Sequence, residues 1–143
     1  MKPRHYPALI TVLLTIFAIS TACYEDSNRD IERRLEEQTL AQLEAATVHL
    51  TPPPGVYASS QLVVVTPEEE DFLVEIESGP GYETVPCPPS SPERSKCTTV
   101  ASSADLRFHL IGSNELTYGR EGTIERKLIR GSTRTARYTI QSP

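Results

Sequence analysis

The 143-residue chain lacks tryptophan and has only three cysteines and three histidines. Its 19 acidic residues outnumber 14 basic ones, which gives a net charge of −5. We expect no nucleic-acid partner, because such a partner requires a basic protein surface. Without tryptophan, a surface that stacks on sugars would need an exposed platform formed by Tyr57, Tyr82 and Tyr118.

The chain also lacks the motifs of common catalytic and metal centres. It contains no G-x-S-x-G segment and no C-x-x-C pair, and residues 68–71 (EEED) lack the spacing of a calcium loop, so we interpret them as an acidic turn. Glu75 and Glu77 would lie about 6.5–7 Å apart on a strand, within the range of inverting glycosidases. Both carboxylates and His109 alternate with core positions, so we expect them to face solvent. We predict no enzymatic activity, no cofactor and no metal.

The first 22 residues have the features of a signal peptide. Lys2 and Arg4 precede residues 8–19, a run of twelve uncharged and mostly apolar residues that is too short to span a bilayer. Residues 20–23 read Ser-Thr-Ala-Cys and resemble the lipobox of bacterial lipoproteins. That resemblance implies cleavage before Cys23, diacylation of its thiol and acylation of the new amine, which together would anchor the chain to a membrane.

The resemblance to lipoproteins also implies a location in the cell envelope. In enteric lipoproteins an aspartate after the cysteine retains the protein at the inner membrane, whereas this chain has Tyr24. We therefore expect the outer membrane rather than the inner one if the organism has both.

Residues 23–50 are predicted to be a helical, acidic tether. Residues 24–50 contain seven acidic and three basic side chains, and the pattern favours a helix over residues 28–46. Its apolar stripe is thin. We interpret the segment as a solvated spacer, with a coiled-coil contact to another chain as the alternative. Three prolines at residues 52–54 end the helical pattern.

Residues 51–143 are predicted to form a small antiparallel β-sandwich of the immunoglobulin-like type. Short apolar or alternating segments occupy residues 61–66, 72–77, 106–111, 115–118, 123–130 and 136–140. Turn signals separate them at residues 78–81, 112–114, 118–122 and 131–132. The spacing of about ten residues is typical of an all-β sandwich, and residues 123–140 are expected to form a C-terminal hairpin.

Cys87 and Cys97 are predicted to form a disulfide bond. They bracket a loop rich in proline and serine, and export would place them in an oxidising compartment. A metal site is the rival interpretation, but His49 and His109 are isolated in sequence.

Part of the chain resembles the small sandwich domain at the C-terminus of chitobiases and β-hexosaminidases. The matching segments are residues 53–57 (PPGVY), 61–65 (QLVVV), 72–77 and 136–140 (ARYTI), with residues 106–108 at the place of a central strand. The family's Y-T-x-D-G-S segment is absent, and residues 74–80 occupy its place. In that family the domain is an accessory module, so the resemblance implies binding rather than catalysis.

The charges of residues 51–143 are unevenly distributed. Residues 68–77 hold six acidic side chains, whereas the C-terminal strands carry a group of basic ones: Arg126, Lys127, Arg130, Arg134 and Arg137. These cations are expected either to pair with the acidic strand or to form a face for an anionic partner.

The sequence as a whole predicts a membrane-anchored lipoprotein with a non-catalytic sandwich. This domain would bind or scaffold an envelope protein or a glycan. The alternative is a carbohydrate-binding accessory module of a glycan-processing system.

Overall fold

A computed structural model describes residues 29–118 and 123–141, with side chains for residues 29–115 and 124–141. The leader, Cys23 and the side chain of Tyr118 therefore lie outside the described residues. The chain divides into two units, Met1–Leu35 and Glu36–Pro143. Helix α1 covers residues 29–45, in agreement with the helix predicted over residues 28–46. In the first unit, Arg33 lies 3.4 Å from Asp30, one helical turn earlier.

The described part of the second unit is an all-β sandwich, as predicted from the alternating pattern. Its strands are β1 (Val48–Thr51), β2 (Gly55–Tyr57), β3 (Gln61–Pro67), β4 (Leu73–Ile76), β5 (Tyr82–Val85), β6 (Lys96–Val100), β7 (Ala104–Tyr118), β8 (Thr123–Arg130) and β9 (Arg134–Ile140). One sheet has the order β1-β3-β6-β5 and is antiparallel throughout. The other has the order β2-β9-β7-β4, with β8 paired to β7. Only the β2–β9 pair among these strands is parallel.

The core lies between the two sheets and beneath the second half of α1. Its buried apolar residues are Leu43, Ala46, Val63, Val65, Phe72, Val74, Val100, Ala104, Leu106, Phe108, Leu110, Ala136 and Tyr138. Tyr138 donates its hydroxyl hydrogen to the carbonyl oxygen of Pro52 at 2.7 Å. Burial raises the pKa of Tyr138, and the neighbouring Tyr57 adds to the shift.

The second half of α1 is packed against the sandwich and is not the solvated spacer that we predicted. Thr39, Leu43 and Ala46 are all buried. The guanidinium of Arg134 donates to the carbonyl oxygens of Leu43 and Ala46, at 2.6 and 2.7 Å. It thereby satisfies acceptors that the end of a helix leaves without partners.

The turn predicted at residues 112–114 is absent, because β7 runs straight through it for 15 residues. Gly112 serves a different purpose there. A Cβ atom at this position would lie 3.1 Å from Thr39 Cγ2 and 3.4 Å from Leu43 Cδ2. The missing side chain allows the helix to approach the strand closely, so this glycine marks a contact rather than a chain reversal.

The hairpin predicted over residues 123–140 is also wrong. Strands β8 and β9 do not pair with each other; both pair with β7, at Ile111–Tyr118 and Ala104–Phe108 respectively. Residues 131–133 interrupt what is otherwise one long partner of β7. The turn predicted at residues 118–122 falls largely outside the described residues.

The predicted disulfide bond between Cys87 and Cys97 is present. The sulfur atoms are 2.10 Å apart and the Cα atoms 5.1 Å apart. Cys97 is buried on β6, and the bond joins this strand to the proline-rich loop. Nearby, the hydroxyls of Thr66 and Ser95 lie 2.6 Å apart and tie the same loop to β3.

Candidate functional site

A polar cleft lies beside the part of β7 that extends beyond β4. It has a volume of about 460 Å³ and is lined by Thr39, Gln42, Glu69, Asp71, Phe72, Ser113, Asn114, Glu115 and Arg126. Strand β4 pairs with β7 only as far as Ile111, so the edge of β7 at residues 113–115 has no described strand neighbour on this side. The helix forms one wall of the cleft, and the acidic turn between β3 and β4 forms the other.

The polar groups of the cleft include one donor that is not used within the described structure. Thr39 donates its hydroxyl hydrogen to the side-chain oxygen of Asn114 at 2.5 Å, which fixes the amide. The Nδ2 atom of Asn114 is buried and has no protein acceptor among the described residues. A buried donor without an acceptor carries a desolvation cost, which an incoming acceptor group would relieve.

The charges at the cleft are mainly acidic. Arg126 reaches Glu115, the residue directly opposite it on β7, with 2.5 Å between the guanidinium and the carboxylate. Glu69 and Asp71 are exposed on the opposite wall. The arrangement therefore offers carboxylate acceptors, one balanced cation and an open strand edge, which suits a polar, extended protein segment.

An apolar stripe adjoins the cleft on the outer face of β4, β7 and β8. We call Leu73, Ile111, Leu128 and Ile124 the outer stripe. Leu73 lies opposite Ile111, and both border a shallow depression that also includes Leu128. Leu73 is 54% exposed, Leu128 66% and Ile124 65%. Three exposed large apolar side chains on one sheet face are typical of an interaction surface.

His109 is placed differently from our prediction. Its position on β7 does face outward, but the side chain is 1% exposed. Nε2 lies 3.7 Å from a carboxylate oxygen of Glu75, and Nδ1 lies 3.9 Å from one of Glu77. Arg130 and Thr133 also contact these two carboxylates, at 3.5 and 3.2 Å respectively. The long polar side chains of neighbouring strands thus cover the ring.

The five basic residues predicted as a partner face all contact groups of the same chain. Arg126 pairs with Glu115, Lys127 with Glu36, Arg130 with Glu75, and Arg137 with Asp105, while Arg134 binds the end of the helix. Only Arg130 reaches the acidic strand β4. Pairing with the acidic strand is therefore seen for one of the five residues, and the other four contact other parts of the chain. A role for these residues in binding an anionic partner stays a prediction.

The tyrosines whose side chains are described do not form one platform. Tyr57 lies on β2 and packs against Tyr138, with ring centroids 6.1 Å apart. Tyr82 lies on β5, in the other sheet, and donates its hydroxyl hydrogen to the carbonyl oxygen of Glu77 at 2.6 Å. Each of these two rings therefore contributes to the packing of a different sheet.

Comparisons with known proteins identify no relative. No family model matches the chain, and no curated protein and no solved structure matches it either. Within the described residues, no group of three or more histidine, cysteine, aspartate or glutamate side chains is arranged to hold a metal ion. The same residues contain no helix whose length and apolar character would let it cross a membrane.

Sequence reasoning did not find the cleft, because its walls come from three distant segments. Thr39 and Asn114 are 75 residues apart. One available signal was Gly112 within a strand-like pattern, since a strand glycine often marks a close approach of another element. Residues 68–71 indicate an acidic turn, but nothing in their sequence shows which side chains they face.

Proposed function

We propose that this protein is a membrane-anchored lipoprotein whose sandwich binds or scaffolds a protein partner at the bacterial envelope. The anchoring part of the proposal is based on the leader and Cys23, which resemble a lipobox. The disulfide between Cys87 and Cys97 supports it, because such bonds persist in exported proteins and are rare in the cytosol. The proposed role is non-catalytic.

The observation that carries the binding role is the cleft together with the outer stripe. Side by side they offer exposed apolar side chains, a strand edge without a described neighbour and a buried amide nitrogen without an acceptor among the described residues. An extended segment of a partner could satisfy the strand edge and the amide while its apolar side chains cover the stripe. Glu75 and Glu77 have a spacing within the range of inverting glycosidases. In the structure these two carboxylates contact His109, Arg130 and Thr133.

Fractionation of cells tests the anchor. We expect the wild-type chain in the membrane fraction, and we expect the Cys23→Ser variant to be released or left unprocessed. Unchanged fractionation of the variant would rule out the lipid anchor.

Crosslinking in intact membranes, followed by capture of the protein, tests the binding surface. Ser113→Trp should fill the cleft and reduce partner recovery, whereas Ser59→Trp places the same side chain on an exposed loop away from it. Equal recovery from the two variants would show that the cleft is not the binding surface, even if the anchor is correct.

The resemblance to the accessory domain of chitobiases and β-hexosaminidases contributes one element to this proposal, namely that the domain binds rather than catalyses. A carbohydrate-binding module would stack sugars on exposed aromatic rings. Tyr57 and Tyr82 lie on different sheets and bond to their own backbone surroundings. We therefore propose a protein partner rather than a glycan.

A further inference from the structure

The free edge of β8 is the longest strand edge in the described sandwich. Strand β8 spans eight residues and pairs only with β7, whereas β1, β2, β4 and β5, which end the two sheets, span three or four residues each. It contains neither proline nor glycine. Natural proteins usually shorten, twist or charge an exposed edge to prevent it from pairing with another chain.

The charges of β8 give weak protection, because they are balanced within the chain. Arg126 pairs with Glu115, Lys127 with Glu36 and Arg130 with Glu75. Beyond Ile111, β7 and β8 form a two-stranded ribbon without a further described strand. Such a ribbon is marginally stable alone and gains from additional strands.

We propose that β8 pairs antiparallel with β8 of a second copy of this chain, about a twofold axis at Arg126. A twofold axis perpendicular to the sheet keeps the outer faces of both copies on the same side. Directly opposite residues of paired strands point to the same face. An even-numbered residue of β8, such as Ile124 or Leu128, therefore pairs only with an even-numbered residue of the second copy.

The sequence of β8 distinguishes the possible registers. With the axis at Arg126, Ile124 lies opposite Leu128 of the second copy, and Glu125 lies opposite Lys127. Each of these pairs occurs twice because of the symmetry. This register therefore brings exposed apolar residues together on one face of the sheet and opposite charges together on the other face. An axis at Lys127 would place Arg126 opposite Leu128, and an axis at Glu125 would place Arg126 opposite Ile124. Each of these registers pairs a charged side chain with an apolar one.

The charge of Arg126 does not prevent this register. Two Arg126 side chains would face each other at the axis, but each is already balanced by Glu115 of its own chain at 2.5 Å. Lys127 contacts Glu36 within its own chain, and in this register Glu125 of the second copy brings another carboxylate close to its ammonium group. This inference does not depend on the lipid anchor, although Arg126 also lines the cleft and Ile124 and Leu128 belong to the outer stripe.

Engineered disulfide bonds test the register in the full chain carrying Cys23→Ser, which leaves the introduced thiol as the only one outside the native disulfide. Directly opposite residues of antiparallel strands have Cα atoms about 4.5–5.5 Å apart, within the range of a disulfide. Under mild oxidation, Arg126→Cys should form a covalent dimer. Ile124→Cys and Leu128→Cys should each stay monomeric alone but crosslink when mixed.

Sedimentation equilibrium of the same Cys23→Ser chain provides an independent measurement. Ile124→Asp combined with Leu128→Asp should raise the dimer dissociation constant by about tenfold or more, because both Ile–Leu pairs are lost. Val56→Asp combined with Leu62→Asp alters two exposed apolar residues elsewhere and should leave it unchanged. A monomer at every concentration without a crosslink at residue 126 would overturn the proposal. A homodimeric crosslink at residue 124 alone would overturn the register.

Discussion

The imidazole of His109 lies 3.7 Å from the carboxylate of Glu75, which is the residue directly opposite it on β4. This pair is located on the outer face of the sheet, yet the histidine is 1% exposed. Neither ring nitrogen forms a hydrogen bond to a described protein atom. The ring therefore contributes mainly by filling space beneath the carboxylates of Glu75 and Glu77.

We expect His109→Ala to lower the free energy of unfolding by about 2–4 kcal/mol, because a large buried side chain is removed and a cavity remains. His49→Ala is the matched control: His49 also lies near a glutamate, Glu68 at 4.0 Å, but its side chain is 60% exposed. That substitution should cost less than about 1 kcal/mol. Equal urea midpoints for the two variants would contradict the structural role of the His109 ring.

The burial of His109 also shows where sequence reasoning stops. The alternation of β7 predicts correctly that Phe108 and Leu110 face the core and that His109 faces outward. It cannot predict that Glu75 and Glu77 lie beside the outward position, because they come from a distant segment of the chain. Alternation identifies the face of a residue, whereas exposure depends on the side chains of its neighbours.

The same limit applies to the fold. The strands that sequence reasoning found are apolar or alternate clearly, as in β3, β4 and β9. Strand β6 pairs on both sides, yet its sequence KCTTV does not predict a strand, because it contains two threonines and a lysine. Thr98 is fully buried there, and its hydroxyl donates to the carbonyl oxygen of Glu83 at 2.9 Å. A buried threonine whose hydroxyl is hydrogen-bonded is still polar in the sequence, so the pattern of apolar residues does not reveal that its position is buried.

The packing of α1 gives a second prediction. Leu43 is 1% exposed and lies beneath Gly112, whereas Leu40, in the same helix, is 40% exposed. We expect Leu43→Ala to lower the free energy of unfolding by about 2–5 kcal/mol and Leu40→Ala to change it by about 0.5 kcal/mol or less. Urea unfolding followed by circular dichroism measures both. If Leu43→Ala left stability unchanged, the helix would be a solvated spacer after all.

The contact between Glu44 and Ser132 predicts a dependence of stability on pH. Hydrogen bonds from the hydroxyl and then the backbone amide of Ser132 hold the pKa of Glu44 below its ordinary value of 4.5, and the charge of Arg134 lowers it further. The folded state thus favours the carboxylate. Its contribution to stability is present above pH 4.5 and is lost as the pH falls through the lowered pKa.

Glu44→Gln should therefore be less stable than the wild type at neutral pH, and the difference should shrink as the solution is acidified below the ordinary glutamate pKa. Unfolding curves between about pH 3 and pH 7 measure this change. Glu70→Gln, which alters an exposed carboxylate of the turn between β3 and β4, should show no comparable difference. A Glu44→Gln effect that stays constant with pH would mean that the carboxylate is not favoured by the folded state.

The disulfide between Cys87 and Cys97 gives a final prediction that concerns both stability and compartment. The two cysteines are 10 residues apart, and closing a loop of that length restricts the unfolded chain. In the chain-entropy model, Cys87→Ala combined with Cys97→Ala should lower the free energy of unfolding by about 3 kcal/mol. Adding a reductant to the wild type should have a similar effect.

Non-reducing peptide mapping of the protein recovered from cells decides whether the bond forms where the chain resides. A linked peptide pair containing Cys87 and Cys97 is expected, because the bond joins the loop to a buried position on β6. Two free thiols would contradict the proposed location, since the bond is expected to persist only in an oxidising compartment.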